Sequence, residues 1–393
     1  QTDQVVLIQA PQKEEERGFN GRNLCFKGRF GWQTLYAPER LHLPRYKEDG
    51  IWKEITWAEA RKVLAEKTKE LKSFHFEISP RISLEEMLML KAVANTRSAK
   101  LYADPALQPV TASLLPVKPD PKAYEKLDNY TELVVIGKIS HTLRTLLRLK
   151  QRQGRRLVLI NPPEAGFNRF ADRILRSLDE LEASAEQVFI YNLNEISPRE
   201  LHKLYTLALK LDPEANNLWA SSNYANYWGL LAMQPCFNLP AGAELALGWG
   251  CYPGKAETAR FSIAIQLFAD DDAPVDLLLP APSYLEIEAH TLGDMARPGV
   301  WMNPAKSMII NELMRVFYEL GWIMPSTAEI NHWNLVVEEL LAALQSRDAA
   351  IPSLDGIDPD TLSATAASPQ YIWDTKIMEL YERRKPILLK PNP

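Results

Sequence analysis

The feature that most constrains this chain is an alternation. Short apolar runs recur between stretches of helical period. The runs are Phe74-His-Phe-Glu-Ile78, Lys100-Leu-Tyr-Ala103, Glu132-Leu-Val-Val-Ile-Gly137, Arg156-Leu-Val-Leu-Ile-Asn161, Gln187-Val-Phe-Ile-Tyr191, Asn217-Leu-Trp-Ala220, Ser262-Ile-Ala-Ile-Gln-Leu-Phe268 and Val275-Asp-Leu-Leu-Leu279. A run without a polar face suits a strand covered on both sides, as in a parallel sheet. Between the runs, Thr56 with Glu59 and Ser83 with Glu86 have the spacing of capping boxes. They predict helices from 56 to about 72 and from 83 onward. Further helices are expected over 141–153, over 198–211 with Pro198 in the first turn, and over 305–320, 329–344 and 371–384. Strand, helix and parallel strand in succession build a doubly wound α/β sheet. Five prolines between 104 and 125 make an extended crossing, which divides the strands into two series.

A chain of 393 residues has room for two or three domains. Hydrophobic residues make up 46% and charged residues 24%, an ordinary soluble composition. The net charge of −5 argues against a nucleic-acid partner, whose binders carry a basic footprint. No apolar run reaches the length of a membrane span and no signal-peptide pattern opens the chain. Three cysteines, Cys25, Cys236 and Cys251, are too scattered for a disulfide framework, so a reducing, cytoplasmic setting is expected.

Near the start stands Arg22-Asn-Leu-Cys-Phe-Lys-Gly-Arg-Phe-Gly-Trp32, followed by Pro38, Arg40, Leu41, Pro44 and then Trp57-Ala-Glu-Ala60. A thiolate at Cys25 is a soft metal ligand, Lys27 supplies a cation beside it, and Gly28 and Gly31 let the backbone approach a bulky group closely. A cysteine alone beside a glycine turn would read as packing. The whole string resembles the molybdopterin oxidoreductase family, in particular formate dehydrogenase catalytic subunits and the large iron–sulfur subunit of respiratory complex I.

The resemblance runs over about residues 19–325, most clearly at 19–60, then at 75–137 and 275–299. It includes Pro280-Ala-Pro-Ser-Tyr-Leu-Glu286, where the family has a strand ending in Leu-Pro-Ala that leads to a glutamate. It implies that Cys25 is the last of four ligands to a [4Fe–4S] cluster and that Lys27, Gly28 and Arg29 lie at the cofactor. The other three cysteines do not precede Cys25 here. They are expected upstream of Gln1 or on another chain, unless the cluster has been lost.

The implied architecture is two doubly wound lobes with a small iron–sulfur-type segment. Residues 1–50 would be the remnant of that segment, 51–125 with 300–346 the first lobe, 126–299 the second, and 347–393 a linker, helix and tail. The family's β-rich C-terminal lid has no counterpart in the remaining length. The crossing 104–121 carries no thiolate for molybdenum; Asp104, Thr111 and Ser113 could offer only oxygen. The loop at Thr291–Gly299 also departs from the family pattern. Molybdopterin is therefore expected to be absent, with Trp249, Tyr252 or Trp301 filling part of its cleft.

Other candidates read more simply. Gly248-Trp-Gly-Cys-Tyr-Pro-Gly254 misses the dinucleotide fingerprint by one place and contains Pro253. Ala269-Asp-Asp-Asp-Ala273 lacks the ligand spacing of a calcium loop and reads as a solvated turn. The aromatic cluster Tyr224, Tyr227, Trp228 and Phe237, with Asn223 and Cys236, reads as core under a long loop, with an interface patch as the alternative. His141 and His290 are single histidines without ligand spacing. No catalytic residue is expected.

The functional expectation is a structural and electron-transfer subunit of a multi-subunit oxidoreductase, beside iron–sulfur and flavin subunits, with no membrane span of its own. Two alternatives stay open. One is a catalytic molybdenum or tungsten subunit of formate dehydrogenase type, and the other is a nucleotide-binding module.

Overall fold

The computed structural model describes residue 8 and residues 31–107, 123–162, 165–222, 224, 226–233, 235–239, 242–254, 256–293, 298–301, 307–323, 334, 335, 337 and 338. The expected helix at 371–384 and the tail lie outside these residues. So does most of the expected helix at 329–344.

A 3-10 turn, Gly31–Tyr36, leads to strands β1 (Arg45–Glu48) and β2 (Ile51–Glu54). Asp49 and Gly50 join them with φ of 51° and 79°, the two positive values that a type I′ hairpin turn requires. Then come α1 (Trp57–Thr68), β3 (Phe74–Ile78), α2 (Leu84–Thr96) and β4 (Leu101–Tyr102). Both expected capping boxes are formed, Thr56 with Glu59 and Ser83 with Glu86. Beyond the crossing lie β5 (Glu132–Ile136), α3 (His141–Arg152), β6 (Arg156–Ile160), β7 (Arg173–Leu175), β8 (Gln187–Asn192), α4 (Pro198–Leu211) and β9 (Leu218–Ser221). The chain continues through α5 (Tyr227–Ala232), β10 (Leu245–Trp249), β11 (Phe261–Gln266), β12 (Leu277–Pro280), β13 (Ala289–Leu292), β14 (Pro298–Trp301) and α6 (Ile309–Glu319).

The fold is α/β, built on two sheets of parallel strands. The larger has the order β2-β1-β12-β11-β10-β3-β4, and the smaller the order β7-β6-β5-β8-β9. All five strands of the smaller sheet are parallel. The larger sheet is parallel from β12 to β4 and ends in the antiparallel β1–β2 hairpin. A separate antiparallel pair, β13–β14, lies outside both.

The expected division at 126–299 is corrected here. β10, β11 and β12 return to the sheet of β3 and β4; Phe74–Ile78 pairs residue by residue with Leu245–Trp249. The boundary at residue 50 moves too, because β1 already belongs to that sheet. The reason is burial. β3 and β4 alone make a two-stranded sheet that cannot cover its own faces, whereas the five-stranded unit is complete at β9. Helix α6 joins the larger sheet, with Phe317 stacked on Trp322 at 5.9 Å and Trp322 edge-on to Phe76 at 6.1 Å. Arg61 of α1 holds it from outside through Glu312 and Glu319, each at 2.9 Å. One continuous core runs from Phe76 and Leu247 to Val134 and Phe189, so the two sheets share packing.

Candidate functional site

Cys25, Lys27, Gly28 and Arg29 lie outside the described residues, so the site is built from where their segment lands. That landing place is the carboxyl end of β11 and β12. Gly31 is buried, and a Cβ there would stand 2.8 Å from the Tyr284 hydroxyl. Nine residues on, Arg40 is 4% exposed and bonds in four directions. Its Nη1 donates to the Leu41 and Leu267 carbonyls at 3.0 and 2.8 Å; its Nη2 donates to the Ala281 carbonyl at 3.0 Å and to Glu286 Oε2 at 2.6 Å. Burial pulls the guanidinium pKa down while Glu286 opposes the fall. Glu286 Oε2 also accepts the Ser283 N–H at 2.8 Å, which closes the turn after β12. The stretch Gly31–Arg40 is thus locked to the strand end that carries Pro280–Glu286.

In the larger sheet the chain runs from β3 outward to β4 on one side and later to β10, β11 and β12 on the other. The β3 and β10 carboxyl ends therefore flank the switch point, where open α/β sheets place ligands. Here the crevice is closed by the protein itself. Gly250 has φ of 73°, and a Cβ on it would lie 2.7 Å from Ile82 Cγ2 and 3.1 Å from Ser79 Cβ. The Ser79 N–H donates to the Trp249 carbonyl at 3.1 Å. Trp249 is fully buried, with its ring 5.9 Å from Phe317. Of the three aromatics expected to fill the cleft, Trp249 packs into the core beside Phe317 of α6. Tyr252 instead reaches the Asp270 turn, with its hydroxyl 3.4 Å from Asp270 Oδ2. The side chain of Trp301 is not among those described.

The glycines of 248–254 serve this close packing rather than a phosphate. A Cβ on Gly248 would meet the Cys251 carbonyl at 2.5 Å, and the Gly254 N–H donates to Glu77 Oε2 at 2.8 Å. Glu77 is buried and also meets His75 Nε2 at 3.1 Å, while His75 stacks on Tyr102 at 4.7 Å. Cys251 is buried beside them. Burial first, then Glu77 and Asp104, push its thiol pKa up. Asp104 turns inward, its Oδ1 accepting the Ala106 N–H at 2.8 Å, with its pKa raised by burial and by Glu77. Thr111 and Ser113 lie outside the described residues.

At the first turn of α2 two adjacent glutamates are buried, and sequence reasoning had given neither a role beyond capping. Glu85 Oε1 meets His290 Nδ1 at 2.6 Å and its Oε2 accepts the His290 N–H at 2.8 Å. The Asn334 amide nitrogen, in the orientation that satisfies its neighbours, donates to Glu85 Oε1 at 3.2 Å. The bond to Glu85 raises the His290 pKa against desolvation. Glu86 accepts the Ser83 N–H at 2.7 Å, yet burial outweighs that bond and pushes its carboxyl up to about 7. Asn226 ties the region together, donating to the Ile82 carbonyl at 2.8 Å and accepting the Leu292 N–H at 2.7 Å. The only signal of this cluster in the sequence was the acidic pair after Ser83.

The smaller sheet has its own switch point, between β5 and β8. Gly137 follows β5 with φ of 77°, and Glu195 Oε2 accepts the Lys138 N–H at 2.8 Å. A carboxylate thus takes a backbone donor at the place where a nucleotide phosphate would need one. His141 stands at the start of α3, where Ser140 caps the helix through the Leu143 N–H. The aromatic cluster is core: Tyr224, Tyr227 and Trp228 are buried, and the Tyr227 hydroxyl donates to the Leu107 carbonyl at 2.7 Å. The Asp270–Asp272 turn is closed internally, Asp270 Oδ1 accepting the Asp272 N–H, and Asp271 pairs with Arg45 at 2.9 Å. Among the described residues no group of three or more His, Cys, Asp or Glu side chains could hold a metal ion. No helix among them is long and apolar enough to cross a membrane.

No family model matches the chain. Over 89 residues, 21% of this chain, it is 34% identical to the probable oxidoreductase YjgC of Bacillus subtilis; that match spans 9% of the relative's own length. Among solved structures it is similar to a chain of the formyltransferase/hydrolase complex FhcABCD of Methylorubrum extorquens, with a TM-score of 0.44 and 10% identity. The alignment covers 70% of this chain and 98% of that one.

Proposed function

We propose that this chain is a structural and electron-transfer subunit of a multi-subunit oxidoreductase, a scaffold of molybdopterin-oxidoreductase type that holds no pterin. The observation that carries the reading is the Arg40–Glu286 bond. It joins two stretches that resemble the family, the one following Cys25, where the resemblance is clearest, and the one following β12. The short similarity to a probable oxidoreductase supports the same class. In this reading Cys25 supplies one thiolate to a [4Fe–4S] cluster whose other ligands come from outside the described residues or from a partner chain. Lys27 offsets the negative charge of the cluster, and Gly28 and Arg29 lie against it. Such a cluster passes single electrons; the chain's own part is to hold it at a fixed place on a rigid sheet edge.

The pterin-free form is supported by the closed switch point. A Cβ on Gly250 would clash with Ile82 and Ser79, and no step is assigned to a pterin there. A nucleotide-binding module is disfavoured by Glu195 at the other switch point.

Metal and pterin analysis of the purified complex tests the reading. Iron is expected and molybdenum or tungsten is not; either metal near one per chain overturns the scaffold. Cys25→Ala is expected to remove or alter one iron–sulfur signal in electron paramagnetic resonance, with the circular dichroism spectrum unchanged. An unaltered iron content and spectrum would reduce Cys25 to a packing residue.

A further inference from the structure

We infer that the arginine-rich end of the smaller sheet, formed by Arg148, Arg152 and Arg169 together with strand β7, is a docking face for an acidic, extended segment of a partner subunit. The inference rests on the reading of the chain as a subunit, and it names where one partner sits.

The charge is concentrated. Residues 144–176 contain eight arginines and one lysine against two acids, Glu164 and Asp172, within a chain of net charge −5. Part of this charge is answered internally. Lys150 meets Asp128 at 2.7 Å and Arg156 meets Glu132 at 2.9 Å, while Arg155 reaches the Asp128 carbonyl at 2.8 Å. The Asp172 carboxylate is occupied by the Leu157 N–H at 2.7 Å. Arg148, Arg152 and Arg169 have no carboxylate partner among the described residues. They lie close enough for Arg152 and Arg169 to lower the Arg148 pKa, after burial, which is the larger cause. Three like charges gathered in this way repel one another, and an acidic partner would relieve that repulsion.

Their geometry suits recognition of carboxylates. The Arg148 guanidinium lies 3.7 Å from the Phe170 ring centre and that of Arg169 lies 4.7 Å from it. Stacking uses the flat faces of the guanidinium and leaves its N–H edges to meet a carboxylate bidentately. The stack is anchored, because Gln151 of α3 donates to the Phe170 carbonyl at 2.5 Å.

Beside the arginines runs a sheet edge. β7 is the terminal strand and pairs only with β6 among the described residues. On it Ile174 is 53% exposed, between the exposed Arg173 and the buried Leu175, with Arg176 exposed one place further on. A terminal strand with an exposed β-branched residue is a template for an added strand. The partner that fits both features is a protein strand carrying carboxylates and an apolar residue. Nucleic acid fits less well. The patch is almost all arginine, the cation enriched at protein interfaces where lysine is depleted, and the rest of the chain is acidic.

The test uses the full chain and a fluorescein-labelled decapeptide rich in glutamate, with its valines two residues apart so that they share one face of a strand, read by anisotropy. Saturable binding that weakens as salt rises is expected. Arg152→Glu and Arg169→Glu, both at exposed positions, should each weaken it by about tenfold or more, and Ile174→Asp should do likewise. Lys69→Glu, on the larger sheet's side, should leave it unchanged. No saturable binding overturns the proposal, as do equal affinities for the charge-reversed variants. Tighter binding of duplex DNA or phosphatidylserine vesicles at the same ionic strength overturns it as well. Iron and pterin analysis does not involve this face, so failure here and failure of the redox reading are separately visible.

Discussion

The Arg40 guanidinium donates to the Glu286 carboxylate at 2.6 Å, across 246 residues of chain. Arg40 is the hub of the pair. It also holds the carbonyls of Leu41, Leu267 and Ala281, whereas Glu286 has the Ser283 N–H as a second donor. Removing the arginine strands a buried carboxylate and leaves three carbonyls without this donor. Arg40→Ala is expected to destabilise the chain by about 3–5 kcal/mol in urea unfolding. Glu286→Gln should cost less, because the amide oxygen still accepts from both Arg40 and Ser283. In a double variant, Arg40→Met with Glu286→Leu, the stranded charge is gone but the carbonyls remain, so recovery should be partial. Equal losses for Arg40→Ala and Glu286→Gln would show that the charge pair, not the carbonyl cradle, holds the segment.

Glu86 gives stability a pH dependence. Burial pushes its folded carboxyl up to about 7, against 4.5 for the ordinary group. The folded state therefore holds the proton more tightly, and stability falls as pH rises between those two values. Full exposure to that slope amounts to about 3 kcal/mol by pH 8. Glu86→Gln keeps an oxygen acceptor for the Ser83 N–H and removes the charge. The variant should match the parent at pH 4.5 and exceed it at pH 8, measured as unfolding midpoints. A parent that gains stability from pH 5 to pH 8 would contradict the buried acid.

His290 works in the same direction through a different contact. Its pKa is raised by Glu85, so its contribution is fully present below the ordinary imidazole value and fades as pH rises through the raised one. His290→Gln should cost roughly 1–3 kcal/mol at pH 6 and clearly less at pH 9. Because β13 is held to α2 by this pair and by the His290 N–H, hydrogen exchange of Ala289–Leu292 should speed up at pH 6 in the variant. Unchanged protection there would mean that Asn226, through the Leu292 N–H, holds the strand without help.

What was legible in the sequence was local. The capping boxes at Thr56 and Ser83 and Pro198 in the first turn of α4 each involve residues within one turn, and each formed where expected. The buried strands were legible because a run such as Leu133–Ile136 has no polar face. Which sheet a strand joins depends on contacts far along the chain. Leu245–Trp249 slots between β3 and β11, and nothing in those five residues names its neighbours. Arg40 and Glu286 each stood out in the sequence, but their meeting did not. His290 read as solitary because its partner Glu85 lies 205 residues away. Asp49-Gly50 is a hairpin signal of the strongest kind, yet Arg45–Glu48 and Ile51–Glu54 are short, polar and half exposed, so the sequence there shows no more than a short β-like piece.

The closed crevice at the β3–β10 switch point depends on one missing side chain. Gly250 has φ of 73°, a conformation that costs an L-residue free energy, and the space a Cβ would need is already taken by Ile82 and Ser79. The two effects add, since relieving the clash by moving the β10 loop would break the bond from the Ser79 N–H to the Trp249 carbonyl. Gly250→Ala is therefore expected to destabilise by roughly 2–4 kcal/mol, combining backbone strain with overpacking. Ile82→Ala in the same chain opens the nearer clash and should recover part of the packing loss, leaving the strain. At Gly154, which has φ of 95° and no atom within 4 Å of a Cβ, an alanine meets strain alone and should cost about 1 kcal/mol. Chemical unfolding of the three variants separates the contributions. If Gly250→Ala costs no more than Gly154→Ala, the two loops are not in contact and the crevice is open.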